Sequence, residues 1–248
     1  MIDLHSHVLP GLDDGAADLD EAVAICQAAV ADGIGVLAAT PHVRDDYPTT
    51  ADQMNAALER LCAATSDLPL ELLPGAELAL EEVRRGPADL RRFALAGNPS
   101  YLLVETPYYG WPLDIHELLF ELIARRITPV LAHPERNAEV QERPERLDPL
   151  VAGGVLVQLT AASVDGRLGR QARAASRTLL DRDAAHLVAS DAHAPAVRGI
   201  GMSDAARAVG DDALARWLTV DVPAAIVDGT AVPDRPPRRR GILQRIRR

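Results

Sequence analysis

Short apolar runs and longer stretches with helical spacing alternate along most of this chain. The apolar runs are rich in Val, Leu, Ile and Ala, which is typical of strands buried on both faces. The predicted strands are 1–7, Val36–Thr40, Leu70–Glu77, Tyr101–Glu105, Pro129–Ala132, Val155–Leu159 and His186–Ser190. The predicted helices are Leu19–Ala31, Ala51–Ala64, His116–Arg126, Leu147–Ala152, Leu168–Leu180 and Ala205–Leu218.

Seven strands joined mostly by helical crossovers indicate an α/β fold with a parallel sheet. A closed or nearly closed (β/α) barrel fits this order better than an open sheet. No repeat or low-complexity linker divides the chain before about residue 233. We therefore expect one domain over residues 1–233, followed by a basic and flexible tail over residues 234–248.

Polar side chains that bind metal ions follow several of the predicted strands. His5 and His7 lie two residues apart on a strand and point to the same face, although a lone pair with this spacing is more often incidental. The carboxyl ends of parallel strands meet at one edge, which is where α/β enzymes assemble their sites. The candidate ligands are His5, His7, Asp14, His42, Glu77, Glu105, His133, Asp191 and His193.

This candidate set contains nitrogen and oxygen donors and no thiolate. It is too large for one tetrahedral zinc and sufficient for two or three ions, for which Mn²⁺, Fe or Zn²⁺ are suitable. Clustered divalent ions are typical of enzymes that hydrolyse phosphate esters. Arg44, Arg136 and Arg198 lie within a few residues of a ligand and either contact phosphate or only balance the nearby carboxylates.

Composition excludes several other classes of function. The net charge is −10, but the tail from residue 234 carries +6, so the remaining 233 residues carry −16. So acidic a body argues against nucleic-acid binding. All 26 basic residues are Arg, which excludes Schiff-base chemistry, a Lys-dependent P-loop and a carbamylated-Lys metal bridge. Cys26 and Cys62 lack the spacing of a thiol-based phosphatase loop.

The sequence shows no secretory leader and no apolar run long enough for a membrane span, so we expect a cytoplasmic protein. The Arg-rich tail has two interpretations. It is either a disordered end or, through Ile242, Leu243 and Ile246, a weak contact with an anionic membrane surface or an acidic partner.

The motifs that carry these candidates resemble the polymerase and histidinol phosphatase (PHP) superfamily. They are Ile2-Asp3-Leu4-His5-Ser6-His7, Leu9-Pro10-Gly11-Leu12-Asp13-Asp14-Gly15, Ala39-Thr40-Pro41-His42, Gly75-Ala76-Glu77, Ala132-His133-Pro134-Glu135-Arg136 and Ala189-Ser190-Asp191-Ala192-His193. The Asp-Asp-Gly turn and the His-Pro-Glu-Arg block are most similar to its branch of bacterial capsular-polysaccharide-type protein-tyrosine phosphatases.

The resemblance implies a distorted (β/α)₇ barrel with a trinuclear site, usually activated by Mn²⁺. It also implies a phosphotyrosine substrate, the Tyr-rich tail of a bacterial tyrosine kinase that controls exopolysaccharide and capsule synthesis. By position, His5, His7, Glu77 and Asp191 resemble the ligands of one ion. Glu77 then bridges to a second ion, held also by Glu105 and His133. Asp14, His42 and His193 resemble the ligands of a third, and Arg136 and Arg198 match phosphate-contacting positions.

The loop after Glu105 is rich in aromatic residues, in a chain with 3% aromatics. Tyr108, Tyr109 and Trp111 either form a slot for a phenol ring or simply pack the loop onto the barrel. Two other functions stay open at this point. One is a phosphoesterase acting on a small metabolite such as histidinol phosphate or a nucleotide, and the other is a noncatalytic metal-binding module.

Overall fold

The structure is a computed structural model that describes residues 1–194 and 198–237. Its strands are β1 (Ile2–Ser6), β2 (Val36–Ala39), β3 (His42–Val43), β4 (Glu71–Pro74), β5 (Glu77–Leu78), β6 (Tyr101–Glu105), β7 (Thr128–Ala132), β8 (Leu156–Thr160) and β9 (Leu187–Ala189). Its α-helices are α1 (Leu19–Ala31), α2 (Ala51–Ala64), α3 (Pro87–Leu90), α4 (Ile115–Ala124), α5 (Ala138–Glu142), α6 (Asp148–Ala152), α7 (Ala161–Asp165), α8 (Arg170–Asp181), α9 (Met202–Val209), α10 (Asp212–Arg216) and α11 (Val222–Asp228).

All strand pairs between these elements are parallel, as predicted, but they form two sheets. One has the order β1-β2-β4, and the other has the order β3-β5-β6-β7-β8-β9. The hydrogen-bonded ladders of the described strands therefore do not form one closed barrel. The two sheets meet where the segment after β9 runs beside β1, since Asp191 N–H donates to His5 O and His7 N–H donates to Ala192 O.

Two of the predicted strands are each divided in two. The first halves, β2 and β4, belong to one sheet, and the second halves, β3 and β5, belong to the other. The predicted strand Val36–Thr40 ends at Ala39, and the chain passes through Pro41 into β3. The predicted strand Leu70–Glu77 ends at Pro74, and β5 begins at Glu77. Proline has no N–H to donate to a neighbouring strand, so Pro41 and Pro74 interrupt the ladder. His42 and Glu77, both candidate ligands, pair with each other directly after these breaks.

Local sequence accounts for the first two helices. The Asp18 side chain caps α1 by accepting from Glu21 N–H, and the helix buries Ala22, Ile25, Cys26 and Ala29. Helix α2 begins with a capping box between Thr50 and Gln53. Both helices have the predicted bounds, because strong caps and regular apolar spacing agree.

The predicted helix Ala205–Leu218 is wrong as a single element. Helix α9 ends at Val209 because Gly210 adopts φ 76°, and Asp211 then caps α10 by accepting from Ala213 and Leu214 N–H. A π-helical turn, Trp217–Asp221, leads into α11. Residues 80–97, for which the sequence predicted no element, fold into 3₁₀ turns (Leu80–Arg84, Arg91–Phe93 and Leu95–Gly97) around α3. Further 3₁₀ turns are Pro134–Arg136 and Pro144–Leu147.

The apolar core lies between the strands and the surrounding helices, and Cys26 is buried in it whereas Cys62 is exposed. Where the structure describes the chain, we find no helix with the length and apolar character required to cross a membrane. Arg235 contacts the body: its guanidinium donates to Ala185 O and Leu180 O and stacks on Trp217. Residues 238–248, including the apolar positions assigned to a membrane or partner contact, lie outside the described residues.

Candidate metal centre

All nine candidate ligands lie in one region, at the carboxyl ends of the strands. His5 belongs to β1, His42 to β3, Glu77 to β5 and Glu105 to β6, whereas His133 directly follows β7. His7, Asp14, Asp191 and His193 come from the loops beyond β1 and β9. Eight of the nine are buried, and only Asp14 is exposed. The strand-end pattern in the sequence therefore correctly predicts a cluster.

A first group of donor atoms combines His5 and His7, near the start of the chain, with the carboxylates of Glu77 and Asp191. His5 Nε2 and His7 Nε2 lie 3.2 Å apart. Glu77 Oε2 lies 3.3 Å from each of them, and Asp191 Oδ1 lies 3.5 and 3.4 Å from them. Ligands about 2.1 Å from a common ion lie about 3.0–3.5 Å apart in octahedral or tetrahedral geometry. The two histidine nitrogens have this spacing from each other and from each of the two carboxylate oxygens.

The rings of the first group are oriented by residues behind them. His5 Nδ1 lies 3.1 Å from Gln158 Oε1, and His7 Nδ1 lies 2.7 Å from Asp13 Oδ2. Each partner oxygen is an acceptor, so each ring donates a proton from Nδ1, and the neutral form of the ring then has its lone pair on Nε2. This tautomer is the one that a metal ligand requires.

Glu77 connects the first group to a second one. Its Oε1 lies 2.8 Å from His133 Nε2, while its Oε2 lies 3.1 Å from His42 Nδ1. Glu105 Oε2 is 3.8 Å from the same nitrogen of His42. The two oxygens of Glu77 therefore face different histidines, which is the position of a bridging carboxylate.

A third group is nearer to solvent and contains Asp14. Its Oδ1 lies 3.3 Å from His193 Nε2 and 3.5 Å from His42 Nε2. His193 Nδ1 bonds the backbone oxygen of Asp191 at 2.9 Å, which again directs Nε2 toward the group. Donor atoms of His7, Asp14, His42 and His193 all lie within 4.8 Å of one another.

Several buried atoms of the cluster have no hydrogen-bond partner among the described residues. Besides His133 Nδ1, four of them lie near other donor atoms of the cluster: His42 Nδ1, Glu77 Oε2, Asp191 Oδ1 and His193 Nε2. Buried polar atoms without partners are costly and uncommon. All four belong to the candidate ligand set and face other donor atoms, so the cluster fits divalent cations, which would satisfy them.

Electrostatics acts on the ligands in different directions. Nearby carboxylates raise the pKa of His5 and of His7 although burial opposes this, and burial together with the charge of Glu77 raises the pKa of Glu105. Burial alone would raise the pKa of Glu77, but His5 and His133 outweigh it and hold that pKa well below its usual range. The pKa of Asp191 is likewise held low, against its burial, chiefly by His5 and His7. Burial lowers the pKa of His42 to about 4, so its ring is neutral near pH 7.

Two candidate ligands have left-handed backbone conformations. His133 adopts φ 37° and ψ 47°, and Asp191 adopts φ 52°. Strand β9 ends at Ala189, one residue before the predicted end, and the irregular segment after it brings both Asp191 and His193 to the cluster. Left-handed conformations are strained for residues other than glycine and are common at functional sites.

The three candidate arginines all contact carboxylates of the cluster. Arg136 and Arg198 donate to Asp191 Oδ2 at 2.6 and 2.9 Å, whereas Asp191 Oδ1 faces His5 and His7. Arg44 bonds both oxygens of Glu105, at 3.1 and 3.3 Å. The guanidinium groups therefore border the cluster and balance part of its negative charge.

The aromatic residues of the loop after β6 lie in different places. Tyr108 stacks on His133 with ring centroids 5.8 Å apart and contacts the guanidinium of Arg136. Tyr109 is 86% exposed, and Trp111 packs against the guanidinium of Arg146. Only Tyr108 of these three contacts the candidate ligands among the described ring contacts.

A model of the family described as "Capsular polysaccharide synthesis, CpsB/CapC" matches residues 1–227. This chain belongs to the CpsB/CapC family. The resemblance drawn from the motifs is therefore confirmed.

Relatives of this CpsB/CapC chain carry descriptions of their activity. Tyrosine-protein phosphatase YwqE of Bacillus subtilis (strain 168) is 38% identical over 202 residues, which cover 78% of this chain and 77% of YwqE. Tyrosine-protein phosphatase CpsB of Streptococcus pneumoniae is 27% identical over 207 residues, with 78% and 83% covered. A crystal structure from a study of YwqE and CpsB, described there as unique metal-dependent tyrosine phosphatases, matches with a TM-score of 0.85 and 31% identity over 96% of this chain and 100% of that one.

Sequence reasoning about this CpsB/CapC chain did not assign roles to the residues that orient the ligands. The side chain of Asp13 contacts His7, and that of Gln158 contacts His5. The ring of Tyr47 stacks on His42, with ring centroids 5.9 Å apart. The sequence contains one indication for Asp13, which is its position next to the candidate ligand Asp14 in the same turn. Gly15 closes that turn against His7, and an added Cβ would lie 2.1 Å from His7 O. Gln158 and Tyr47 had no local signal.

Proposed function

We propose that this chain is a metal-dependent protein-tyrosine phosphatase that hydrolyses phosphotyrosine on a bacterial tyrosine kinase regulating exopolysaccharide or capsule synthesis. The observation that carries the proposal is the convergence of nine nitrogen and oxygen ligands, five with buried atoms that lack a partner among the described residues. Its membership of the CpsB/CapC family supports a role in capsular polysaccharide synthesis, and its similarity to YwqE and CpsB supports the tyrosine-phosphatase reaction.

The fold proposal is a single metallophosphatase domain over residues 1–233, built as a distorted (β/α)₇ barrel. Two features support it. The chain continues through β2 and β3, and through β4 and β5, so each of these pairs counts as one bent barrel strand. The backbone bonds between β1 and the segment after β9 bring the two ends of the strand series together. Residues 234–248 are then an appended basic tail.

We propose two or three Mn²⁺ ions for the centre. Following the family resemblance, His5, His7, Glu77 and Asp191 would hold one ion, Glu77 with Glu105 and His133 a second, and Asp14, His42 and His193 a third. By distance alone, Glu77 groups with His5 and His133 and also with His42 and Glu105. Bound divalent ions supply Lewis acidity toward phosphoryl oxygens and make water a stronger nucleophile near neutral pH. Asp13 and Gln158 serve this chemistry by fixing the tautomers of His7 and His5.

Arg136 and Arg198 are suited to bind the phosphate group. Each uses one guanidinium nitrogen on Asp191 and keeps further donors, and a planar guanidinium matches two phosphate oxygens at once. Arg44 is the third candidate for a phosphate contact, through donors that Glu105 and Asp46 leave free. Asp191 would then set the positions of both Arg136 and Arg198 relative to the metal ligands.

Tyr108, Tyr109 and Trp111 are the proposed contacts for the substrate's phenol ring. Tyr108 has the strongest support, because it is stacked on His133 beside Arg136. A phenol, with a pKa of about 10, leaves more readily than an alkyl alcohol. Hydrolysis of phosphotyrosine therefore requires little help from a dedicated general acid, and none of the candidate residues has to supply one.

Phosphate release from a tyrosine-phosphorylated peptide tests the proposal. Chelator-stripped protein should be inactive and should regain turnover with added Mn²⁺, and the His5→Ala/His7→Ala variant should stay inactive. Turnover by stripped protein without metal would contradict the proposal. An inactive protein with Mn²⁺ demonstrably bound would favour a small phosphorylated metabolite as the substrate. Recovery of a tyrosine kinase with a His133→Ala variant would test the partner.

A further inference from the structure

Helix α8 presents three arginines to solvent along one side. Arg170, Arg173 and Arg177, here called the α8 arginine face, are exposed, whereas Ala172, Ala175 and Leu179 of the same helix are buried. Positions three and four apart lie above one another on a helix, so the three side chains form a row. Seven residues of helix span about 10 Å.

The guanidinium groups of this row have no ion-pair or hydrogen-bond partner among residues 1–194 and 198–237. Arginines just before the helix and just after it do have such partners, since Arg167 pairs with Asp165 and Arg182 with Asp148. Three adjacent unpaired cations are therefore a local exception, on a chain whose net charge is −10.

The start of α8 is also arranged against helix stability. The residue before it is Gly169, which provides no side-chain cap, and the first turn contains no acidic residue. Arg170 lies at the first position, where the positive end of the helix dipole repels a cation. An acidic ligand would remove both disadvantages, because it neutralises the arginines and accepts from free N–H groups.

A cavity of about 390 Å³ lies beside the row. The three arginines line it together with Val164, Ala174, Leu180 and Ala208, and none of its described lining residues is acidic. The cavity thus combines an apolar wall with cationic edges. An aliphatic side chain flanked by carboxylates has the matching chemistry.

Helix α8 also lies next to the candidate metal centre. It packs against the turn Pro134–Arg136, which carries one of the proposed phosphate-binding arginines. The helix that carries the α8 arginine face is therefore anchored beside the metal centre.

We propose that the α8 arginine face docks an extended acidic segment of the protein substrate, with one aliphatic side chain of that segment in the cavity. The occupant depends on the proposed function, because it is the phosphoprotein itself. A row about 10 Å long matches about three residues of extended chain better than a single small anion. This surface would make the enzyme prefer acidic phosphoproteins over small phosphate esters.

Binding can be tested without catalysis. Metal-stripped protein is titrated into a fluorescent peptide that contains three Glu and one central Leu but no phosphotyrosine. The R170Q/R173Q/R177Q variant should bind about tenfold more weakly, the loss expected from several exposed charge-assisted contacts. The matched control R60Q/R91Q/R126Q removes three exposed arginines elsewhere and should bind like the original protein. A second variant, Ala174→Trp, keeps the charges, fills the cavity and should also weaken binding.

Kinetics of the metal-loaded enzyme provides the second readout. With an acidic phosphotyrosyl peptide, R170Q/R173Q/R177Q should raise KM about tenfold at unchanged kcat, again as expected for lost exposed contacts. The KM for para-nitrophenyl phosphate should not change. Equal affinity of the original protein and the variant for the Glu/Leu peptide would overturn the docking proposal even if the phosphatase is active. Binding of that peptide by a protein that hydrolyses no phosphotyrosine would support docking while refuting the proposed function.

Discussion

Asp13 supports two candidate ligands at once. Its carboxylate bonds His7 Nδ1 and accepts from the backbone N–H of His42 and of Gly15. Although burial opposes it, hydrogen bonding to His7 lowers the pKa of Asp13, so the carboxylate stays ionised. The Asp13-Asp14-Gly15 turn is thereby held against His7 and His42.

Asp13→Asn should reduce metal affinity without unfolding the protein. The amide has the same shape but loses the charge that orients His7, and losses of about 10- to 100-fold are usual for such supporting residues. The measurement is competition between protein and a chelating dye for Mn²⁺. Asp20→Asn, an exposed change in the first turn of α1, is the control and should bind as before. Equal affinity in both variants would rule out this role of Asp13.

The left-handed conformation of His133 predicts an ordering of two ligand-removing variants. His133→Gly and His133→Ala both remove the imidazole, but only glycine adopts φ 37° without strain. In chelator, the glycine variant should be more stable to urea by about 1 kcal/mol, the usual cost of this conformation for other residues. A more stable alanine variant would show that the backbone relaxes at this position.

At the scale of elements, His186, directly before β9, makes the stability of the fold depend on pH. Its Nδ1 accepts from Val157 N–H, and burial together with Arg235 lowers its pKa to about 4, from an ordinary value of 6.5. The folded state therefore binds fewer protons than the unfolded state between these values. The stability contributed by the neutral ring is complete above pH 6.5 and is lost as pH falls toward 4.

His186→Asn should flatten this dependence. The Asn side-chain oxygen can still accept from Val157 N–H but does not titrate. Between pH 6.5 and pH 4, the original protein should lose about 2 kcal/mol more unfolding free energy than the variant, after allowance for partial exposure. Urea unfolding at several pH values measures this, with the partly exposed His116→Asn as the control. Parallel pH profiles for the original protein and His186→Asn would contradict it.

Elements governed by local signals were predictable, and elements governed by tertiary geometry were not. Asp18 and Thr50 with Gln53 set the starts of α1 and α2, and apolar runs placed the strands within a few residues. The division into two sheets depends on how Pro41 and Pro74 meet neighbouring strands, which spacing alone does not show. Gly210 was visible but does not by itself distinguish a break from a tolerated helical glycine.

In the metal centre, too, residues with a local sequence signal were predictable and residues brought there by the tertiary fold were not. Each candidate ligand follows a strand or lies in a marked turn, so residue type and position were sufficient to predict the cluster. Gln158 and Tyr47 lie far in sequence from the rings they contact, and only the fold brings them there. Tyr109 and Trp111 share the loop of Tyr108 but have other surroundings, because neighbours in a loop need not face one direction.

At the scale of the whole molecule, metal removal should lower stability. The ligands come from both sheets and from the loops between them, and without ions they bring together buried carboxylates and unpaired nitrogens. With free Mn²⁺ at about 100 times its dissociation constant, linkage predicts about 2.7 kcal/mol, which raises Tm by about 5–10 °C. Scanning calorimetry with Mn²⁺ and with chelator measures the shift. Identical curves would contradict metal binding at this centre.

The contact between β1 and the segment after β9 also has a consequence for the order of folding. His5 and His7 come early in the chain, whereas Asp191 and His193 come after the last strand, so the first group stays incomplete until distant segments meet. Pairings between distant segments form slowly, because a long loop must close before they can form. In refolding from urea, we expect tight Mn²⁺ uptake to coincide with the slowest phase, so that the ion reports the completed chain.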